Sequence, residues 1–158
     1  MKSVFASIWK ALHLPTNMQL LMMRLFQDQF LIGVTGVIFN NKNEILLFKH
    51  TYRQDAWSLP GGYIKAKEQP KEALEREIQE ESSLIVSADE RLKIRTDRET
   101  ARLDICYIGE FMGGEFVKSS EVSEIGFFAF ENLPLLHNDQ ILLVEEAMNQ
   151  RKRLGLYN

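Results

Sequence analysis

The chain has 158 residues, of which 45% are hydrophobic and 26% are charged, and its net charge is −3 at pH 7. This length fits about one globular domain, and the composition excludes an intrinsically disordered chain. The slightly acidic balance argues against a broadly basic surface for binding nucleic acid. Because Cys106 is the only cysteine, an internal disulfide is excluded and a reducing, cytoplasmic location is expected.

Residues 1–29 are predicted to form a helical extension. Apolar side chains recur at helical spacing before Pro15, which should end a first helix, and a second apolar segment follows it. No apolar run approaches the roughly 20 residues of a membrane span. The second segment is apolar around most of its circumference, so something must cover it. Packing on the chain's own core, a homodimer contact and binding along a membrane surface all stay open.

A single domain is predicted from residue 30 to residue 158, and its segments alternate between strand and helix patterns. Runs rich in β-branched residues predict strands, clusters of Pro and Gly predict loops, and 3.6-residue periodicity predicts helices. The predicted elements are strands at 30–39, 44–49, 92–95, 101–111 and 125–130, a loop at 58–62, and helices at 70–82 and 139–153. Asn138 is the expected N-cap of the last helix.

The helix predicted at 70–82 carries most of a dense run of carboxylates. Glu77, Glu80 and Glu81 are three and four positions apart, so they share one helix face. An apolar strip beside that face should turn it toward the protein interior. Glu72 and Glu75 lie on the opposite side and are expected to be solvated.

Three like charges facing the interior require a cationic partner. Arg76 is one local partner, but clustered carboxylate oxygens suit hard divalent cations such as Mg²⁺ or Mn²⁺ better. Gly61 and Gly62 precede the helix, and a glycine there lets a backbone carbonyl approach an ion or a substrate closely. The pattern favours a metal site over a solvated helix face.

The spacing from Gly62 to Leu84 carries a family resemblance. It reads Gly, five residues, Glu, seven residues, and then Arg-Glu-Ile-Gln-Glu-Glu-Ser-Ser-Leu. This stretch resembles the box of the Nudix hydrolases, Gly-x5-Glu-x7-Arg-Glu-U-x-Glu-Glu-x-Gly-U, in which U is aliphatic. One defined position differs, since Ser83 stands where the box has its late glycine. A glycine there would adopt a left-handed conformation more easily at the helix end.

The resemblance implies an α/β fold, the Nudix αβα sandwich around a mixed sheet. It also implies hydrolysis of a nucleoside diphosphate linked to a group X, assisted by Mg²⁺ or Mn²⁺. By position, Glu68 and Arg76 would hold the box loop on the helix. The implied metal ligands are the Gly61 carbonyl and the carboxylates of Glu77, Glu80 and Glu81, which are also the implied catalytic groups.

Hydrolysis also needs a carboxylate that accepts a proton from the attacking water. In this family the base comes from the box or from a later loop. Glu121 is the preferred later candidate and Glu124 is the second, with an ordinary surface charge as the alternative for each. Candidate substrate contacts are the cations Lys49 and Arg53 and the ring of Tyr63, although rim or core packing is the default for an aromatic ring.

The expected partner is a nucleotide-type small molecule rather than a nucleic acid, with a capped RNA end left open. Group X, the nucleobase and the number of metal ions are also left open. Two other functions compete: a nucleotide-binding module without turnover, and a metal-dependent phosphomonoesterase. The complete set of box glutamates argues against the first, and the box spacing argues against the second.

Overall fold

The computed structural model describes residues 15–52, 57–97 and 101–155. Contacts divide the chain between Phe30 and Leu31 into two compact units. The helix predicted before Pro15 lies outside the described residues.

Helix α1 (Thr16–Phe26) belongs to the first unit and begins after Pro15. It is rich in Leu and Met, and none of its side chains is buried. Leu25 and Phe26 are 72% and 78% exposed. In the described residues, no helix combines the length and apolar composition that a membrane crossing requires.

A mixed sheet of seven strands forms the centre of the second unit, counted over the described residues. The order is β3-β2-β1-β6-β5, while β4 also pairs with β1 and β7 also pairs with β2. The strands are β1 (Leu31–Phe39), β2 (Ile45–His50), β3 (Trp57–Ser58), β4 (Gly61–Tyr63), β5 (Ile85–Asp97), β6 (Arg102–Gly113) and β7 (Val122–Phe128).

Strand β1 is an interior strand with neighbours on both of its sides. It runs parallel to β6 and antiparallel to β4, so Gly33 lies between Tyr63 and Asp104. Two residues further along, Thr35 lies opposite Gly61. Since side chains alternate across a strand, Gly33 and Thr35 share one face of the sheet.

Helices α2 (Pro70–Ser82) and α3 (Asn138–Arg153) provide the two outer layers. One core holds the buried side of α2, through Leu74 and Ile78, together with inward-facing residues of the sheet. A second core holds Leu143 and Val144 of α3 and other sheet residues. This arrangement confirms the predicted αβα sandwich around a mixed sheet.

Several element boundaries differ from the sequence predictions. The predicted loop at 58–62 contains the short strands β3 and β4. Strand β5 begins at Ile85, seven residues before the predicted start at Leu92. Register shifts between Ala88 and Glu90 and again before Lys93 interrupt the alternation of inward and outward side chains. Because strands are predicted from that alternation, the first part of β5 is not recognised in the sequence. Asn138 is the first residue of α3 rather than its cap, which is His137.

Candidate active site

The start of α2 is fixed by local sequence. Gln69 and Glu72 form a capping box, in which the Gln69 backbone N–H donates to Glu72 Oε2 at 3.0 Å. Pro70 occupies the first helical turn, where its missing N–H costs nothing. The helix ends at Ser83, whose φ of 63° and ψ of 10° are left-handed. The serine therefore adopts the conformation that the box glycine would supply.

Arg76 ties the loop before α2 to the helix. Its Nη2 and Nε donate to the two oxygens of Glu68 at 2.7 and 2.9 Å, and Nη2 also donates to the Tyr63 carbonyl at 3.1 Å. The hydrogen bonds from Arg76 and then from the Lys65 backbone lower the pKa of Glu68 to about 2. The same contact with Glu68 raises the pKa of Arg76. These hydrogen bonds connect the loop before α2 to the helix.

The three carboxylates of the predicted metal face have different surroundings. Glu81 is buried, Glu77 lies 2.8 Å from Arg76 Nη1, and Glu80 is half exposed. Lys65 Nζ and Arg76 Nη1 approach Glu80 Oε2 at 3.2 and 3.0 Å, and the Lys65 contact is the larger cause of the lowered pKa of Glu80. In the described part of the chain, no three Asp, Glu, His or Cys side chains converge as a metal site.

The two glycines before Tyr63 have no room for a side chain. A Cβ on Gly62 would lie 2.4 Å from Glu77 Cδ, and one on Gly61 would lie 2.2 Å from the Val34 carbonyl oxygen. The backbone of β4 therefore passes directly beside the Glu77 carboxylate. A side chain at Gly62 would displace the Glu77 carboxylate, whereas one at Gly61 would clash with the backbone of β1.

The expectation of a solvated side chain is confirmed for Glu72, which is exposed, but it is wrong for Glu75. Glu75 Oε1 accepts a hydrogen bond from the Ala88 backbone N–H at 2.9 Å, so its side chain docks α2 onto β5. Glu72 serves the capping box at the helix start. Helical periodicity separates the faces of α2 correctly but does not show which polar side chains reach a neighbouring strand.

A cleft of about 930 Å³ is lined by residues of β1 and β4, among others. The cleft lining includes the carboxylates Glu77, Glu81 and Glu121 and the glycines Gly61 and Gly62, and we call this set the acidic end. The volume of the cleft lies in the upper part of the usual range for small-molecule sites, roughly 300 to 1,000 Å³.

A second group of charged side chains lines the same cleft, and we call it the basic end: Arg95, Arg102, Asp104, His137 and Asp139. Asp104 is buried and lies at its centre. Asp104 Oδ2 accepts from Thr35 Oγ1 at 2.8 Å and from Arg95 Nε and Nη2 at 3.0 and 2.9 Å.

Ion pairs extend this group to the first turn of α3. Arg95 Nη1 donates to Asp139 Oδ2 at 2.6 Å, and His137 Nδ1 lies 2.8 Å from Asp139 Oδ1. Burial alone would lower the pKa of Arg95, but the hydrogen bond to Asp104 and the nearby negative charges raise it. Burial alone would raise the pKa of Asp139, but His137 and Arg95 lower it. Both pKa shifts favour the charged forms of Arg95 and Asp139.

The later-loop glutamates are placed differently. Glu121 lines the cleft, and its loop is held by Thr51, whose N–H donates to the Glu121 carbonyl at 2.8 Å. Glu124 lies on β7, 3.7 Å from Lys49 Nζ on the neighbouring strand. Although both residues are described, neither Glu124 nor Lys49 belongs to the cleft lining.

Tyr63 also lines the cleft, whereas Arg53 lies outside the described residues. Sequence reasoning missed Thr35, Arg102 and Asp104 as cleft residues. The available signal was weak: Arg102 and Asp104 alternate on a predicted strand, which only places them on one face. Their partners come from β1 and β5, which no local pattern identifies.

Comparisons with known proteins agree with this geometry. The model of the NUDIX domain family matches residues 29–153. An ADP-ribose pyrophosphatase of Methanocaldococcus jannaschii is 32% identical over 123 residues, which cover 74% of this chain and 72% of the relative.

Solved structures show the same fold. An ADP-ribose pyrophosphatase from Streptococcus suis superposes with a TM-score of 0.65 at 29% identity, covering 76% of this chain and 92% of that one. A NUDIX hydrolase from Nitrosomonas europaea superposes with a TM-score of 0.71 at 18% identity, covering 80% and 75%. The second likeness concerns the fold alone.

Proposed function

Because the chain belongs to the Nudix family, we propose that it is a divalent-metal-dependent hydrolase of a nucleoside diphosphate linked to a group X. It cleaves the phosphoanhydride bond by attack of water at phosphorus. One observation carries this proposal: Glu77, Glu81 and the glycine pair of the box line the same cleft. The relatives named ADP-ribose pyrophosphatase support ADP-ribose as the first substrate to test.

The donor set at the acidic end fits a hard divalent cation, since it consists of carboxylate and carbonyl oxygens. Of the residues that would hold Mg²⁺ or Mn²⁺, Gly61, Glu77 and Glu81 line the cleft, whereas Glu80 lies on the same helix but is not part of the cleft lining. A cation held by these residues would offset the negative charge of the phosphoryl oxygens and lower the pKa of a water molecule. Glu68 and Arg76 would not contact the cation. They fix the loop that carries Gly61 and Gly62 beside Glu77.

We propose Glu121 as the general base. It lines the cleft from a loop separate from α2, so it is not among the carboxylates assigned to the cation. Hydrogen bonds from Thr51 to the backbone of this loop fix its position. Glu124 is the weaker candidate because it faces Lys49 instead of the cleft.

Product analysis tests the proposal against both alternatives. Purified protein is incubated with ADP-ribose, nucleotide sugars, dinucleoside polyphosphates and a phosphomonoester, each with Mg²⁺, Mn²⁺ or EDTA. The expected result is metal-dependent formation of two phosphorylated products from a diphosphate substrate. Release of inorganic phosphate from the monoester alone would identify a phosphomonoesterase. Nucleotide binding without turnover would identify a binding module.

For the helical extension at 1–29, we propose a contact with a second copy of the chain. The support is that α1 exposes large apolar side chains, including Leu25 and Phe26, which cost free energy in water. Light scattering compares the full chain with a chain that starts at residue 30. A dimer that becomes a monomer on truncation is expected. An unchanged mass would remove the subunit contact from consideration.

A further inference from the structure

We propose that Arg102 forms an anion-binding position at the basic end of the cleft, where it binds a phosphate oxygen of the substrate. This phosphate is a group other than the one attacked at the acidic end. The inference deepens the proposed function and rests on it only for identifying the anion as part of a substrate.

The Arg102 guanidinium lies against Gly33 and the ring of Tyr63. It passes over Gly33, where an added Cβ would come within 2.6 Å of Nη2 and 2.7 Å of Nε. Its Cζ lies 5.0 Å from the centre of the Tyr63 ring, a cation–π distance. A backbone without a side chain and an aromatic ring therefore fix this group within the cleft.

Asp104 orients the same guanidinium through a hydrogen bond to Nη2. Arg102 Nη2 donates to Asp104 Oδ1 at 3.1 Å, while Oδ2 serves Thr35 and Arg95. Asp104 is only 3% exposed. Asp104 therefore orients Arg102 while it also pairs with Arg95, whose second carboxylate partner is Asp139.

Arg102 keeps donor capacity after these contacts. A guanidinium has five N–H donors, and in the described residues its hydrogen bonds to Asp104 use Nη2. Its side chain is 29% exposed and lines the cleft. The planar edge of a guanidinium matches the oxygens of a phosphate, which it binds through charge-assisted hydrogen bonds.

The strand register separates this position from the acidic end. Gly33, beneath Arg102, and Thr35, opposite Gly61, are two residues apart on one face of β1, which corresponds to about 7 Å. A substrate whose attacked phosphorus lies beside Gly61 would place a further phosphate toward Arg102. The two ends therefore suit different parts of one polyanionic ligand.

Binding of methylenediphosphonate tests the inference without turnover, since its P–C–P bridge is not hydrolysed. Isothermal titration calorimetry compares the full chain with Arg102→Gln and Arg102→Lys, in Mg²⁺ and in EDTA. Loss of one charge-assisted hydrogen bond should weaken binding by roughly ten- to a hundredfold in Arg102→Gln. Arg102→Lys should give an intermediate loss, because it keeps the charge and loses the planar edge.

Two further variants make the test specific. Gly33→Ala leaves every charge in place but pushes the guanidinium aside, so it should weaken binding as well. Arg91→Gln removes a positive charge from an exposed position on β5 that is not part of the cleft lining. It should leave affinity within about twofold, because exposed charges are screened by salt.

Equal affinity of Arg102→Gln and the unchanged chain in Mg²⁺ would overturn the inference, as would no binding to the unchanged chain. An equal loss in Arg91→Gln would also overturn it, since diffuse charge would then explain the binding. If Arg102→Gln does not fold, Gly33→Ala and Arg102→Lys decide, and both must weaken binding. If only the proposed hydrolysis is wrong, Arg102-dependent binding would persist while every substrate stays intact.

Discussion

The two ends of the cleft are built in opposite ways. The acidic end comes mainly from one continuous stretch, Gly61 to Glu81, in which a loop and a helix are joined by Glu68 and Arg76. The basic end is assembled from β1, β5, β6 and the first turn of α3. One end is local in sequence and the other depends entirely on the tertiary fold.

Their electrostatics differ in the same sense. At the acidic end Glu77, Glu81 and Glu121 carry like charges around one cleft, so their assembly is favoured by an added cation. At the basic end the charges of Arg95 and Arg102 are balanced by those of Asp104 and Asp139. The basic end is therefore held together by ion pairs within the chain, whereas the proposed function assigns a divalent cation to the acidic end.

The largest effect is expected from the carboxylates of α2. Glu81→Gln should reduce turnover by roughly a thousandfold or more, since a metal site contributes several kcal/mol of transition-state stabilisation. Glu80→Gln should also cause a large loss and weaken metal affinity. Steady-state rates and metal titrations measure both changes.

Glu72→Gln is the matched control on the same helix. Glutamine also serves in a capping box, so turnover should change by less than about threefold. Similar losses in Glu72→Gln and Glu81→Gln would refute the assignment of one helix face to the metal.

The next effect concerns Glu121, which faces the acidic end from another loop. Glu121→Gln should lower the single-turnover rate about a hundredfold, within the range for loss of a general base. Metal affinity should change far less than in Glu81→Gln. The control is Glu124→Gln, which only loses the contact with Lys49. Near-normal rates in Glu121→Gln beside a large loss in Glu77→Gln would move the proton acceptor to Glu77.

A smaller effect should appear in the pH dependence of stability. The pKa of Glu68 is lowered from 4.5 to about 2 by Arg76. A lowered carboxyl pKa stabilises the folded state above pH 4.5, and this contribution disappears as the pH falls from 4.5 toward 2. Glu68→Gln should therefore flatten the unfolding temperature over that interval. Identical slopes in the two proteins would show that the pair does not stabilise the fold.

The smallest effect is expected at the basic end. Thr35→Val keeps a β-branched side chain in the strand but removes the hydroxyl that donates to Asp104. The free energy of unfolding should fall by about 1 to 2 kcal/mol, because one hydrogen bond to the buried Asp104 is lost. The loss stays small because Asp104 keeps its contacts with both arginines. Thr96→Val, at an exposed threonine of β5, should change it by less than about 0.5 kcal/mol. Denaturant titration measures both, and equal values would contradict a specific role for Thr35.

Much of the fold was predictable because local patterns determine it. The helix boundaries at 70–82 follow from the capping box, Pro70 and the apolar spacing of Leu74 and Ile78. The sandwich and the family follow from the spacing between Gly62 and Leu84. Strand β5 was predicted too short because its bulges break the alternation of inward and outward residues.

The candidate site was predictable only in part, for the same reason that its two ends differ. Local spacing identifies Glu77 and Glu81, which the structure places in the cleft, while their roles remain predictions. It does not identify Asp104, because Thr35 and Arg95 reach that residue only through the pairing of three strands. Nor does it reveal that Glu75 binds the backbone of β5.

The parallel pairing of β1 with β6 also has a consequence for folding kinetics. Leu31 pairs with Arg102 and Phe39 with Glu110, so the whole ladder closes loops of about 70 residues. The chain loses the conformational entropy of closing these loops before the stabilising contacts form, so long-range parallel pairing is slow. Helix α2 can form earlier from local interactions, whereas Gly33 and Asp104 meet only when this ladder closes. During refolding, helical circular dichroism should recover first, and binding that depends on Arg102 should return with the slowest phase.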